Sequence, residues 1–183
     1  MVNDLLNQNK ITLDQLAAIA ISGGPGSYTG LRIGASFAKG ICYAQQIPLI
    51  SVNSLAVIAA AMKETHPNAD RYCALIDARR MDAYCAVYDG DLNAIQEASF
   101  ETLDSSLFNQ LSGEVWLGGS GAAKAMEFCQ GGPQLSPAST EARHMALLAQ
   151  NSFENQAFED LAYYEPNYIK AVHITSPKKK TLP

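Results

Sequence analysis

Residues 17–34 read AAIAISGGPGSYTGLRIG, and this stretch restricts the fold more than any other. A short uncharged run, Ala17–Ser22, ends in glycines and is followed by a long helical pattern reaching about Gln45. The run is expected to form a strand buried on both faces, as in parallel sheets. Ser27 or Thr29 is placed to cap the helix. The pattern then repeats: Pro48–Val52 reads as a second apolar strand, and Asn53 or Ser54 caps a helix ending near Glu64. Strand alternating with helix points to an α/β layer fold.

The glycine loop leads into a helix N-terminus, where exposed amides and the helix dipole favour an anion. Gly24, Gly26 and Ser27 are therefore weak candidates for cofactor binding, with a plain capped turn as the alternative. Two nucleotide templates fail. A phosphate-binding Walker loop needs Lys-Ser/Thr after its last glycine, where this chain has Leu31-Arg32; a dinucleotide fingerprint needs glycine where Thr29 stands.

The helix itself carries apolar residues on two sides. Gly30, Gly34 and Ala38 recur every fourth residue, bordered by Ile33, Phe37 and Ile41, whereas Leu31, Ala35 and Cys42 lie on another face. One side can rest on a sheet; the other needs a second layer or another protein. Glycine inside a helix costs about 1 kcal/mol relative to alanine, so close packing is the expected compensation. Gly30, Ile33, Gly34, Phe37, Ala38 and Ile41 are thus the candidate partner interface, with a helix of the same chain as the alternative occupant.

Downstream, His66–Asp70 is polar and turn-rich and marks a boundary between lobes 1–68 and 69–183. Arg71–Ile76 and Ala83–Asp89 are expected to pair as an antiparallel hairpin, Ile95–Phe100 to add a third strand, and Asp104–Leu111 to form a helix. Val115–Leu117 reads as a strand, about 122–129 as a small-residue helix, and His144 to about Phe153 as the last helix. Arg79 and Arg80 at the hairpin turn suit a phosphate, an RNA backbone or an acidic partner, or else solvent. Gly118 and Gly119, after an apolar strand, could let a ligand approach, or could simply turn the chain. Lys178–Lys180 reads as a solvated tail.

Composition excludes more than it selects. Apolar residues at 48% and charged residues at 17% suit a globular chain, and the net charge of −5 gives no bulk attraction to nucleic acid or anionic membrane. The four cysteines, Cys42, Cys73, Cys85 and Cys129, have no C-x-x-C pair, and the three histidines have no ligand spacing, so reduced thiols and no metal are expected. No apolar run approaches the length of a membrane span, nor does the first segment resemble a secretion signal; a cytoplasmic protein without a membrane partner is expected. Ser27 and Ser120 have no histidine nearby in sequence and no G-x-S-x-G elbow, so no catalytic residue is assigned.

Five blocks together, GPGSYTGLRIG at 24–34, PLISVNSL at 48–55, IDARRMDAYCAVYD at 76–89, WLGGSGA at 116–122 and EPNYIK at 165–170, resemble the TsaB (YeaZ-like) family. That family is the dimerisation subunit of the bacterial tRNA threonylcarbamoyladenosine machinery. The resemblance implies a two-lobed α/β fold of the actin-like ATPase superfamily (ribonuclease H-like, shared with sugar kinases and Hsp70). It implies a non-catalytic subunit without a cofactor, paired through first-lobe helices with a TsaD-type catalytic subunit, and a TsaE-type ATPase as a further partner. Transfer RNA would be met through the complex, and a homodimer through the same helix is the alternative pairing. The family pattern places a strand with a phosphate loop and a β-meander before the helix matched by Val2–Asn9, so an incomplete first lobe is implied. Asp77-Ala-Arg also lacks the glycine of nucleotide-binding relatives. An ATP-dependent phosphotransferase is the second reading, and a glycoprotease-like peptidase, disfavoured by the missing metal histidines, is the third.

Overall fold

The computed structural model describes residues 2–109, 111–138 and 140–169. Its elements run α1 (Val2–Asn9), β1 (Ile19–Ser22), α2 (Tyr28–Gln45), β2 (Leu49–Val52), α3 (Ser54–Thr65), β3 (Arg71–Asp77), β4 (Asp82–Asp89), β5 (Ala94–Thr102), β6 (Val115–Gly118), α4 (Ala122–Met126), β7 (Gln134–Leu135) and α5 (Ala146–Glu154). Lys178–Lys180 lies outside the described residues.

Two sheets organise the chain. The first pairs β1 with β2 in parallel, Ile19 opposite Leu49 and Ser22 opposite Val52. The second has the order β5-β4-β3-β6-β7, with the expected hairpin β3–β4 antiparallel and β6 parallel to β3. In β3 and β4 the alternation of side chains sends Cys73, Leu75, Cys85 and Val87 to one face and Tyr72, Ala74, Ala86 and Tyr88 to the other. Both faces are buried, which accounts for the nearly unbroken apolar run of each strand.

The helix α3 lies between the sheets. Asn53 caps it, its side chain accepting from the Leu55 amide at 2.8 Å. Leu55, Ile58, Ala59 and Met62 pack on Tyr72 and Ala74 of the second sheet, whereas Val57 joins Ile50 and Val52 of the first. A helix apolar all round has to be covered all round, and here two sheets cover it. Gly118 makes one of these contacts possible: a Cβ there would stand 2.5 Å from the Met62 sulfur and 2.8 Å from its Cγ.

Helix α2 covers one face of the first sheet through Ala38 and Cys42, and α5 covers the other through Leu148 and Ala149. The chain after α5 then folds back over the strands. The Glu159 amide donates to Leu49 O at 2.9 Å, the Tyr164 hydroxyl meets Ser51 Oγ at 3.0 Å, and the Asn167 amide donates to Gly23 O at 2.8 Å. This return segment ties β2, α2 and the glycine loop together.

Several expectations are corrected. β1 is covered on both faces but is not deeply buried; its outer edge has no strand partner among the described residues, and Ser22 is exposed. The helix expected at 104–111 is one 3₁₀ turn, Ser105–Leu107, because the Asp104 carboxylate accepts from the Ser106 and Leu107 amides and holds a tight turn. The small-residue helix stops at Met126 rather than Cys129, short of Gly131 and Gly132, whose φ values are positive. The last helix begins with a 3₁₀ turn, Ala142–Met145, before α5. Cys42, Cys73 and Cys85 are buried free thiols as expected, and Cys129 is half-buried.

Substituting Gly118→Ala is expected to destabilise the chain by about 1–3 kcal/mol, because Met62 is fully buried and has little room to move. A urea midpoint equal to that of the unaltered chain would show that α3 is not seated as described.

Candidate functional site

Helix α2 opens with Ser27 as its cap, the hydroxyl accepting from the Gly30 amide at 3.3 Å. Its buried side is Ala35, Ala38 and Cys42. The opposite side faces solvent: Ile33 is 66% exposed, Phe37 56%, and a Cβ added at Gly34 or Gly40 would meet nothing within 4 Å. Gly30 is also exposed, and a Cβ there would touch only its own cap, Ser27. No described element comes within contact distance of a Cβ at Gly34 or Gly40, and Gly30 and Gly34 also border the cavity described below.

The i, i+4, i+8 stripe inferred from sequence therefore does not form one contact line. Eight residues turn a helix by about 80° beyond two full revolutions, so Gly30 and Ala38 point in different directions. Ala38 is 2% exposed and belongs to the chain's own core, which removes it from the candidate interface. Ile41 is half-buried at the margin. What remains is an outward apolar patch of Gly30, Ile33, Gly34 and Phe37. Isolated exposed side chains are ordinary, but here Ile33 and Phe37 stand exposed side by side next to bare backbone.

A cavity of about 900 Å³ lies between the sheets and brings the two glycine loops together, with Gly26 and Ser27 on one wall and Gly119 and Ser120 on another. Its remaining lining is largely apolar, including Ile21, Val57, Ile58 and Met145, and Glu141 is the one charged residue among the described lining residues. Gly24 and Gly118 stand outside it. Gly24, at φ +112°, packs under the return segment, where a Cβ would stand 2.6 Å from Asn167 O, and Gly118 is occupied by Met62 as described above. Gly119, at φ +96°, turns the chain into the cavity wall. The serines there have structural partners: Ser27 caps α2, and Ser120 Oγ accepts from the Asp77 amide at 3.1 Å.

Arg79 and Arg80 form the exposed β3–β4 turn at φ +71° and +51°. The anchor of this turn is Lys124, which sequence reasoning passed over. Its ammonium pairs with Asp77 and donates to Arg80 O at 3.0 Å and Asp82 O at 2.8 Å. The lysine hydrogen bond, followed by that from the Arg79 amide, holds the Asp77 carboxyl below the usual aspartate range. Nothing in the local pattern around residue 124 signals this; only the packing of α4 on β3 places it there. A second unanticipated cluster joins Glu64 to Arg143 and to the buried His144, 3.3 Å away. Among the described residues, no group of three or more His, Cys, Asp or Glu side chains is placed to hold a metal, and no helix is long and apolar enough to cross a membrane.

Because the folded-state pKa of Asp77 is depressed, its contribution is present above about pH 4 and fades as pH falls through the lower folded value. Asp77→Asn is therefore expected to lower the urea midpoint near neutrality, and the difference should shrink as the pH falls below the ordinary aspartate range. Lys124→Met should cost about 1–2 kcal/mol at neutral pH, since the Arg80 carbonyl, the Asp82 carbonyl and the Asp77 carboxylate each lose a donor. An unchanged midpoint would mean that backbone pairing alone fixes the turn.

Comparison with known proteins agrees with this architecture. The family model described as TsaD: tRNA N6-adenosine threonylcarbamoyltransferase matches residues 1–180. The tRNA threonylcarbamoyladenosine biosynthesis protein TsaB of Escherichia coli (strain K12) is 38% identical over 95 residues, 52% of this chain and 41% of that protein. The TsaB protein of Haemophilus influenzae is 37% identical over 84 residues, 46% of this chain and 35% of its own. The aligned stretches thus span well under half of these relatives. The tRNA N6-adenosine threonylcarbamoyltransferase of Legionella pneumophila (strain Lens) is 29% identical over 147 residues, covering 75% of this chain and 42% of that enzyme. Among solved structures, YeaZ from Pseudomonas aeruginosa superposes with a TM-score of 0.81 at 25% identity, covering 92% of this chain and 80% of YeaZ. The fold is the actin-like ATPase fold, and the chain is TsaB/YeaZ-like.

Proposed function

Given that the chain belongs to the tRNA N6-adenosine threonylcarbamoyltransferase family, we propose that it serves tRNA threonylcarbamoyladenosine synthesis as a non-catalytic subunit. In this reading it binds a TsaD-type catalytic subunit through the outward face of α2. The single observation that carries it is the uncovered apolar patch, with Ile33 66% and Phe37 56% exposed beside Gly30 and Gly34. Small residues let a second helix come close, and the flanking Ile and Phe supply apolar area. An interface of ordinary size would bury about 800 Å² on each partner. Such a patch can also match itself across a two-fold axis, so a homodimer is its alternative occupant when the catalytic subunit is absent. A TsaE-type ATPase is the further partner, and tRNA is engaged through the assembly.

The phosphotransferase reading is supported by one feature, the meeting of Gly26 and Gly119 across the cavity. The chemistry of the described walls disfavours it. A triphosphate needs cations or a dense set of amides, and among the described residues the lining contributes no Lys or Arg and one carboxylate, Glu141. The peptidase reading has no support from the serines, whose hydroxyls are engaged with backbone amides.

Gly34→Leu separates docking from folding. The isolated chain has open space at this position and should be as stable or slightly more so, since leucine is the better helix former. Pairing with the catalytic subunit should weaken by about 1–3 kcal/mol from overpacking. Co-elution at wild-type affinity would overturn the proposed surface. Depletion of the protein should also lower threonylcarbamoyladenosine in digested tRNA measured by mass spectrometry, and replacement by the Gly34→Leu variant should fail to restore it. Micromolar binding of Mg-ATP by the isolated chain in calorimetry would instead favour the phosphotransferase.

A further inference from the structure

A second cleft, of about 300 Å³, lies on the polar edge of α2 where the return segment crosses it. Tyr28, Arg32, Ser36 and Lys39, on successive turns of one helix face, form one wall. Tyr164 and Tyr168 stand on the other, with Glu165 between them. Arg32 donates through Nη1 to the Tyr28 hydroxyl at 2.5 Å, with its guanidinium carbon 5.3 Å from that ring's centroid. Lys39 donates to two neutral carbonyls, Tyr164 O at 3.2 Å and Ala162 O at 3.4 Å.

Neither cation has a carboxylate partner among the described residues, although acidic residues outnumber basic ones 18 to 13 in the chain. Glu165 lines the same cleft without forming an ion pair to either, so the cleft has two positive charges against one negative. The rings of Tyr28 and Tyr168 lie 5.1 Å apart at 40°, and Tyr28 is 42% exposed. A guanidinium held by a tyrosine hydroxyl and by no carboxylate among the described residues, an ammonium, tyrosine hydroxyls and a part-exposed aromatic ring thus converge in one place. A carboxylate would use the charges and ignore the rings; a nucleotide would use both, its phosphate on the cations and its base against tyrosine.

We infer that this cleft binds a phosphate-bearing nucleoside, with Arg32 and Lys39 on the phosphate and the Tyr28–Tyr168 pair under the base. The site is independent of the α2 docking patch, because Arg32, Ser36 and Lys39 lie on a different side of the helix from Ile33 and Phe37. It is also separate from the cavity between the sheets.

The test is titration of the ¹⁵N-labelled full chain with inorganic phosphate, AMP and a single-stranded tetraribonucleotide. Saturable amide shifts confined to residues 28–39 and 164–168 are expected, with AMP binding at least about tenfold more tightly than phosphate, since stacking adds to the charge contact. Arg32 is exposed, so Arg32→Gln should fold normally and weaken AMP binding about tenfold or more. Tyr168→Leu should remove the advantage of AMP over phosphate and leave phosphate binding in place. A tetranucleotide that binds more tightly than AMP assigns the site to RNA, and the reverse assigns it to a free nucleotide. Shifts centred elsewhere, equal affinity for phosphate and AMP, an Arg32→Gln variant that binds like the unaltered chain, or no saturable shift would each overturn the inference.

Discussion

The burial of α3 between two sheets is the contact on which the rest of the molecule depends. Seven of its twelve residues are buried, and its apolar positions serve both directions at once. Leu55, Ile58, Ala59 and Met62 belong to the cluster on the second sheet, and Val57 to the cluster beneath α5. Each apolar side chain removed from water contributes on the order of 1.5–3 kcal/mol, so this helix alone holds much of the driving force that keeps the sheets together. The cavity exists because α3 spaces the sheets and the facing glycine loops carry too little side-chain volume to close the gap.

Against that background α2 is the opposite kind of helix. It buries only three small residues, Ala35, Ala38 and Cys42, and leaves large apolar side chains, Ile33 and Phe37, in water. A chain optimised only for its own stability would have placed Phe37 inward. The arrangement fits a surface whose burial is completed by another molecule, and the exposed glycines fit a backbone approach that this chain never makes for itself.

Local signals were legible before any coordinates. The glycine loop between strand and helix, a cap at Ser27 or Thr29 and another at Asn53 or Ser54, and the hairpin of the strand-like runs 71–76 and 83–89 all follow from residue chemistry within a few positions. The outward patch on α2 was readable in outline, but the placement of Ala38 needed the accumulated rotation of the helix. Contacts between distant residues were not readable at all. Lys124 reaches a turn more than forty positions earlier, Gly118 yields to Met62, and the return segment meets Leu49, Ser51 and Gly23; none of these pairings has a periodic signature. The helix expected at 104–111 failed for a related reason, since the Asp104 side chain competes for the amides that would have started it.

The return segment has a consequence for how the protein is made on the ribosome. The strands β1 and β2 emerge before the second sheet, yet their two faces are completed by Leu148, Leu161 and Tyr164, which follow β2 by about a hundred residues. The second sheet draws on residues within a shorter span and can consolidate while its neighbour still waits for a cover. Synthesis therefore runs against the order of assembly, and β1 and β2, translated before the second sheet, gain protection from chaperones, proteases and one another after it.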